Sequence, residues 1–151
     1  MKVIYNDGHV AECPEDEELH VIRHTAAHIL AQAVKRLYPE AHFAYGPATE
    51  KGFYYDVDLG DKKLSDEDLP AIEAEMAKIV KENLPIKPFV LSREDAVKLM
   101  EERGETYKVE HIGDLPEDAV LSFYQQGDYI DMCVGPHLTY TKALKAFKLT
   151  G

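Results

Sequence analysis

The sequence predicts an α+β fold, an antiparallel sheet packed against one long central helix. Three observations carry that reading. Residues 18–38 hold an unbroken helical period, several short stretches alternate apolar and polar side chains with period two, and most connections between them are of hairpin length. The chain has 151 residues, 45% of them hydrophobic, which suits one core of ordinary size and leaves no room for a second complete domain.

Taken in order, residues 2–11 read as a short strand, an Asp7-Gly8 turn and another short strand. Residues 1–19 are therefore a hairpin or linker segment, and 20–151 a single domain. In the long helix Leu19, Ile22, Ala26, Ile29, Leu30, Ala33 and Leu37 form an apolar stripe. Acidic Glu15 to Glu18 suit its N-terminus, Lys35 and Arg36 suit its C-terminus, and Pro39 ends it. His42 to Tyr45 is strand-like and Gly46-Pro47 is a turn. Gly52 to Leu59 alternates, with Phe53, Tyr55, Val57 and Leu59 on one face and Tyr54, Asp56 and Asp58 on the other. Ser65 opens a second helix whose buried stripe is Leu69, Ile72, Met76 and Ile79. Ile86 to Leu91 is a strand interrupted by Pro88, hence an edge. Ser92 caps a third helix through Ala96, Leu99 and Met100, closed by Gly104. The remainder reads as strand and turn: Thr106 to Ile112, Ala119 to Tyr124, a Gln-Gln-Gly-Asp turn, Tyr129 to Cys133, and a last strand near Ala146 to Thr150.

Two short patterns carry chemistry. His24 and His28 lie four apart on the long helix, about 5–6 Å from one another at Cβ, on a face shared with Ala27, Ala31 and Lys35. A single helical histidine is ordinarily a packed or solvated side chain. Here a second half exists, because Cys133 and His137 are also four apart, in a turn broken by Gly135-Pro136. The four supply nucleophile, base and metal-ligand types. The long helix should dock with its two histidines facing Cys133 and His137 across one cleft. A separation of Cys133 from both by more than about 10–12 Å exceeds one bridging water or metal and would dissolve the site.

Charge and composition exclude other classes. A net charge of −11 argues against a self-sufficient nucleic-acid binder, since sequence-independent affinity comes from Lys and Arg at phosphates. No apolar run approaches the ~18 residues that span a bilayer, and the N-terminus lacks a signal peptide's apolar core. With only Cys13 and Cys133, no disulfide framework is implied. The expected location is the cytoplasm, without a membrane partner.

Arg23-His24-Thr25-Ala26-Ala27-His28, Gly46-Pro47, Gly52-Phe53-Tyr54-Tyr55-Asp56, Gly104-Glu105-Thr106-Tyr107-Lys108-Val109 and Asp131-Met132-Cys133-Val134-Gly135-Pro136-His137 together resemble the editing domain of bacterial-type threonyl-tRNA synthetases. The resemblance runs from about residue 20 to the end, in order. It implies the fold of threonyl and alanyl editing domains and the post-transfer hydrolysis of mischarged seryl-tRNA(Thr). It also implies an excised part of a threonine–tRNA ligase, one that does not aminoacylate alone. The partners implied are a tRNA acceptor end carrying serine and the catalytic and anticodon-binding domains of a full synthetase, which would supply ATP binding.

The catalytic set implied is His24, His28, Lys108, Asp131, Cys133 and His137, with Tyr55 and Asp131 binding substrate. In it His24 orients or deprotonates water, Lys108 stabilises negative charge and Asp131 receives the substrate ammonium. No cofactor is expected for this editing reaction, because Lys108 beside the reacting carbonyl does the work of a metal and opposes a dication. If a metal is bound, its ligands are His24, His28, Cys133 and His137. The alternatives are an alanyl-type metal-dependent deacylase and a noncatalytic zinc or tRNA-end binding module. A zinc peptidase is disfavoured, because that helix motif places Glu directly after the first histidine and this chain has Thr25.

Overall fold

The computed structural model describes residues 2–39, 41–43, 57–58, 66–116, 120–133 and 136–144. Tyr55, the Gly46-Pro47 turn, most of the Gly52 to Leu59 strand, the Ser65 cap and the strand expected near residues 146–150 lie outside them. Among the described residues the chain mixes helices with strands that pair antiparallel throughout. No helix among them is long and apolar enough to cross a membrane.

Strand β1 (Lys2–Ile4) pairs with β2 (Val10–Glu12) across the turn that Gly8 completes. Helix α1 (Glu18–Leu37) follows, then the short β3 (His42–Phe43) paired with β4 (Val57–Asp58). Helix α2 (Leu69–Glu82) buries Ile72, Met76 and Ile79, and β5 (Ile86–Ser92) carries Pro88 at a sheet edge, where a missing N–H costs no ladder bond. The Ser92 hydroxyl accepts the Asp95 N–H at 3.3 Å and starts α3 (Arg93–Glu102). Helix α4 (Thr106–Gly113), β6 (Val120–Gln126), β7 (Tyr129–Met132) and β8 (His137–Leu138) complete the set.

Among the described residues three sheets result, ordered β2-β1-β8, β3-β4 and β5-β6-β7. The N-terminal hairpin is joined to the site region directly, since β1 sets Ile4 opposite His137 and Val3 opposite Leu138. The β6–β7 hairpin turns at Gly127, with φ +61°, and an added Cβ there would meet Leu84 Cδ1 at 3.1 Å. Glycine removes both the left-handed strain and the clash.

Two expectations are corrected. Thr106 to Ile112 is not a strand but helix α4, so Lys108 stands on a helix. Gly104, with φ +70°, ends α3 in a Schellman turn: its N–H donates to Glu101 O at 3.0 Å and the Glu105 N–H to Met100 O at 2.9 Å. The chain re-enters a helix at once and packs α4 on α3. Glu105, just before its first residue, Lys108 and Ile112 point inward at helical spacing. Two of those three are charged, so the apolar pattern alone could not reveal the period.

The second correction concerns α1, whose small-residue face is buried as well as its apolar stripe. Ala27, Ala31 and Gln32 are as enclosed as Ala26, Ile29 and Ala33, whereas Leu19 and Leu37, at the ends of the expected stripe, are exposed. One side meets α2 and another meets β8. Alanines let the backbones approach, and Gln126 Nε2 donates to Gln32 Oε1 at 2.8 Å to tie β6 to the helix.

Candidate functional site

Four elements deliver the six expected residues that lie in the described part of the chain. Helix α1 presents His24 and His28 on successive turns. Strand β7 presents Asp131, and its continuation presents Cys133, held where its N–H donates to Ser122 O at 3.1 Å. His137 opens β8, and Lys108 reaches in from α4.

The histidine rings pack on one another. Centroids are 5.2 Å apart for His24–His28, 4.2 Å for His24–His137 and 4.3 Å for His28–His137. Cys133 Sγ is 3.2 Å from His137 Nε2. One ligand-type atom from each of His24, His28, Cys133 and His137 falls within 4.8 Å of every other. Both halves of the sequence pattern therefore converge in one pocket.

Lys108 Nζ lies 2.9 Å from Asp131 Oδ1, both groups being almost fully enclosed. The Met132 N–H donates to the same oxygen at 2.8 Å, the Tyr129 hydroxyl donates to Oδ2 at 3.1 Å, and His28 Nε2 is 3.5 Å from Oδ2. Both carboxylate oxygens are thus engaged within the chain. That geometry suits a carboxylate anchoring Lys108 and orienting His28, in place of one open to a substrate ammonium.

Burial sets the protonation states. His24 is pushed down to about 4, first by desolvation and then by neighbouring His20, with Asp131 opposing. His28 and His137 are held well below the ordinary histidine value, chiefly by complete burial; the proximity of His24 and Lys108 adds to this for His28, and that of His28 and His24 for His137, where Asp131 opposes it. Burial pushes the Cys133 thiol well up, Asp131 adds to this and Lys108 opposes it. Burial thus favours the uncharged forms of the three imidazoles and of the thiol, beside the Lys108–Asp131 contact.

His28, His137, Lys108 and Asp131 are enclosed, while His24 and Cys133 are half-buried; a small cavity reaches Lys108 and Asp131 from the side of Phe43, Arg103 and Glu105. His20 stands exposed one turn before His24, its ring 6.2 Å away. The sequence reading passed over His20, although it continues the four-residue spacing.

Three further residues escaped it. Tyr129 shares a strand face with Asp131, a period-two relation legible after the fact. Tyr124 lies opposite Asp131 in the β6–β7 register and covers His137, with ring centroids 4.5 Å apart. Its hydroxyl donates to Asn6 Oδ1 at 2.7 Å, so the N-terminal hairpin braces the pocket. Thr25, between the two histidine turns, bonds His137.

The donor set of three imidazoles and a thiol has the chemistry of a zinc site. Its atoms lie within 4.8 Å of one another, where donors sharing one tetrahedral ion sit about 3.3–3.8 Å apart. Small rotamer adjustments would let His24, His28, Cys133 and His137 hold such an ion.

Comparison with known proteins bears on the whole arrangement. Residues 121–151 match the family "Threonyl and Alanyl tRNA synthetase second additional domain". The chain is 62% identical over 136 residues to a threonine–tRNA ligase of Clostridioides difficile (strain 630), covering 89% of this chain and 21% of that protein. It is 59% identical over 151 residues to the threonine–tRNA ligase of Clostridium novyi (strain NT), covering 99% of this chain and 24% of that protein. The Carboxydothermus hydrogenoformans ligase is 57% identical over 135 residues, 89% of this chain and 21% of its own length. The chain spans about a fifth to a quarter of the curated relatives it matches. Over most of its length the chain is thus similar to one part of the threonine–tRNA ligases, and its residues 121–151 match the second additional domain of that family.

Proposed function

We propose that the chain hydrolyses the ester joining serine to the terminal ribose of a mischarged threonine tRNA. It is then the post-transfer editing part of a larger threonine–tRNA ligase. The observation that carries this reading is the convergence of three imidazoles, a thiol and the Lys108–Asp131 pair at one site. A synthetase needs such a site because one methyl group supplies only about 1–3 kcal/mol of discrimination, so serine enters a threonine site too often.

In this reading water meets the site beside half-buried His24. An imidazole titrating near 4 accepts a full proton poorly at neutral pH, so His24 chiefly orients water by accepting its hydrogen bond. The Lys108 ammonium, fixed by Asp131, stabilises the oxyanion that develops on the carbonyl. A neutral Cys133 thiol is a weak nucleophile, which favours direct attack by water over a seryl–cysteine intermediate. Serine selectivity comes from shape, the threonine methyl clashing where the serine hydroxymethyl fits. Tyr55 completes the substrate contacts.

The remaining assignments follow from the same reading. Residues 20–151 are the editing unit, an editing-domain fold with its sheets packed about α1, and residues 1–19 attach to it through β1. With a charge of −11 the chain leaves tRNA binding to the catalytic and anticodon-binding domains and receives only the acceptor end. The location is cytoplasmic.

A titration with amide-linked seryl-adenosine, which cannot hydrolyse, tests the pocket's ligand class. Binding that perturbs the His24 ring resonances, with the threonyl analogue weaker, is expected. A chain that ignores the seryl analogue would defeat the reading.

One observation favours a second reading. Asp131 offsets the Lys108 charge at 2.9 Å, so repulsion of a dication by Lys108 is smaller than the sequence alone implies. His24, His28, Cys133 and His137 would hold zinc, which polarises a carbonyl or water when bound. We keep the metal-free reading, since Lys108 is present for the oxyanion. Stoichiometric zinc in the purified chain, with hydrolysis lost to a chelator and restored by zinc, would reverse that choice.

A further inference from the structure

Thr25 is completely buried in α1, and its Oγ1 has two partners among the described residues. The Leu138 N–H donates to it at 3.1 Å, and His137 Nδ1 lies 2.9 Å away. A backbone amide can only donate, so towards Leu138 the hydroxyl is an acceptor. Its single proton then has one available acceptor, the His137 Nδ1 lone pair. Pointed anywhere else it is an unpaired donor in a dry site, which proteins avoid.

The consequence passes through the ring. His137 is fully enclosed, and an Nδ1 that accepts from the Thr25 hydroxyl carries no proton of its own. With Nδ1 accepting from Thr25, the ring's proton sits on Nε2, which faces Cys133 Sγ at 3.2 Å. His137 is then a donor to the sulfur. In the other tautomer Nε2 would be a base aimed at the thiol, the arrangement that makes a cysteine nucleophilic.

We propose that Thr25 is a positioning residue that locks His137 in the Nε2–H tautomer, withholding a base from Cys133 and so keeping the pocket on the water-attack route. This rests on the hydrolytic reading above for its functional meaning, while the tautomer itself stands independently of any activity. Thr25 is the joint between α1 and β8.

The experiment is ¹⁵N NMR of the full chain labelled at histidine, with Thr25→Val and Thr25→Ser beside it. In the unsubstituted chain and in Thr25→Ser, His137 should show an unprotonated Nδ1 and a protonated Nε2. Thr25→Val, of similar shape but lacking the hydroxyl, should mix or invert the tautomers. Hydrolysis of serine-charged tRNA should fall about 10–100-fold in Thr25→Val and recover in Thr25→Ser, the size usual for groups that orient a working histidine. A protonated Nδ1 in the unsubstituted chain overturns the proposal even if Thr25→Val does not fold, and so does an unchanged tautomer in a folded Thr25→Val. A chain with the expected tautomer but no hydrolysis would instead fail the hydrolytic reading alone.

Discussion

Replacing Lys108 by Met should destabilise the chain by about 3–5 kcal/mol and lower hydrolysis of the seryl ester by about 10²–10³-fold. The stability loss arises on Asp131. Its carboxylate is only 3% exposed and Lys108 Nζ is its cationic partner at 2.9 Å, so the substitution leaves a charge stranded in low dielectric. The donors from Tyr129 and Met132 remain but do not neutralise it. Activity falls separately, because the ammonium is the group positioned for the oxyanion.

A double variant separates the two effects. Lys108→Met with Asp131→Leu removes both charges and should regain much of the stability, since a buried pair replaced by apolar groups is often close to neutral, yet it should regain none of the activity. Urea unfolding of both variants checks this. A Lys108→Met chain within about 0.5 kcal/mol of the parent, the range of ordinary surface substitutions, would show that the pair is not a buried one.

Acidification should unfold the chain well before its carboxylates titrate in bulk. His24 titrates near 4 when folded, against about 6.5 when unfolded, so below pH 6.5 the unfolded state binds more protons. Stability is fully present above the unfolded value and is lost as pH falls through the window from 6.5 to about 4. At pH 5 this single histidine removes about 2 kcal/mol, from ~1.4 kcal/mol per pH unit over the distance from 6.5. His28 and His137 are depressed further and act in the same direction. Against a typical total of about 5–15 kcal/mol, the sum is a large share. Urea midpoints at pH 7, 6 and 5 should fall steeply, and a flat series would mean the imidazoles are already protonated or exposed in the fold.

The parts of the fold that were legible in the sequence share one property: their signal is local and of a single kind. Pro88 marks an edge strand because it lacks an N–H, Ser92 marks a helix start, and Ile72, Met76 and Ile79 mark a buried face. Helix α4 was illegible because Glu105 and Lys108 occupy inward positions, satisfied by tertiary partners. The Glu105 carboxylate accepts the Phe43 N–H at 3.1 Å, and Lys108 meets Asp131. The second buried face of α1 was hidden because alanines and a threonine give no hydrophobic period.

The site divides in the same way. His24 with His28, and Cys133 with His137, are each four apart, so two local spacings point to one pocket without knowledge of the fold. Lys108 and Asp131 came from resemblance and gain their physical meaning from a contact that sequence separation conceals. Thr25, Tyr124 and Tyr129 have no local signature, because each works only through a partner brought by another element.

The central claim is tested most directly by mixing the purified chain in excess with serine-charged and threonine-charged threonine tRNA and following release of each amino acid. The account predicts that serine is released far above the spontaneous rate while threonine stays attached. Seryl-tRNA that decays at the spontaneous rate, or serine and threonine lost at equal rates, would contradict it.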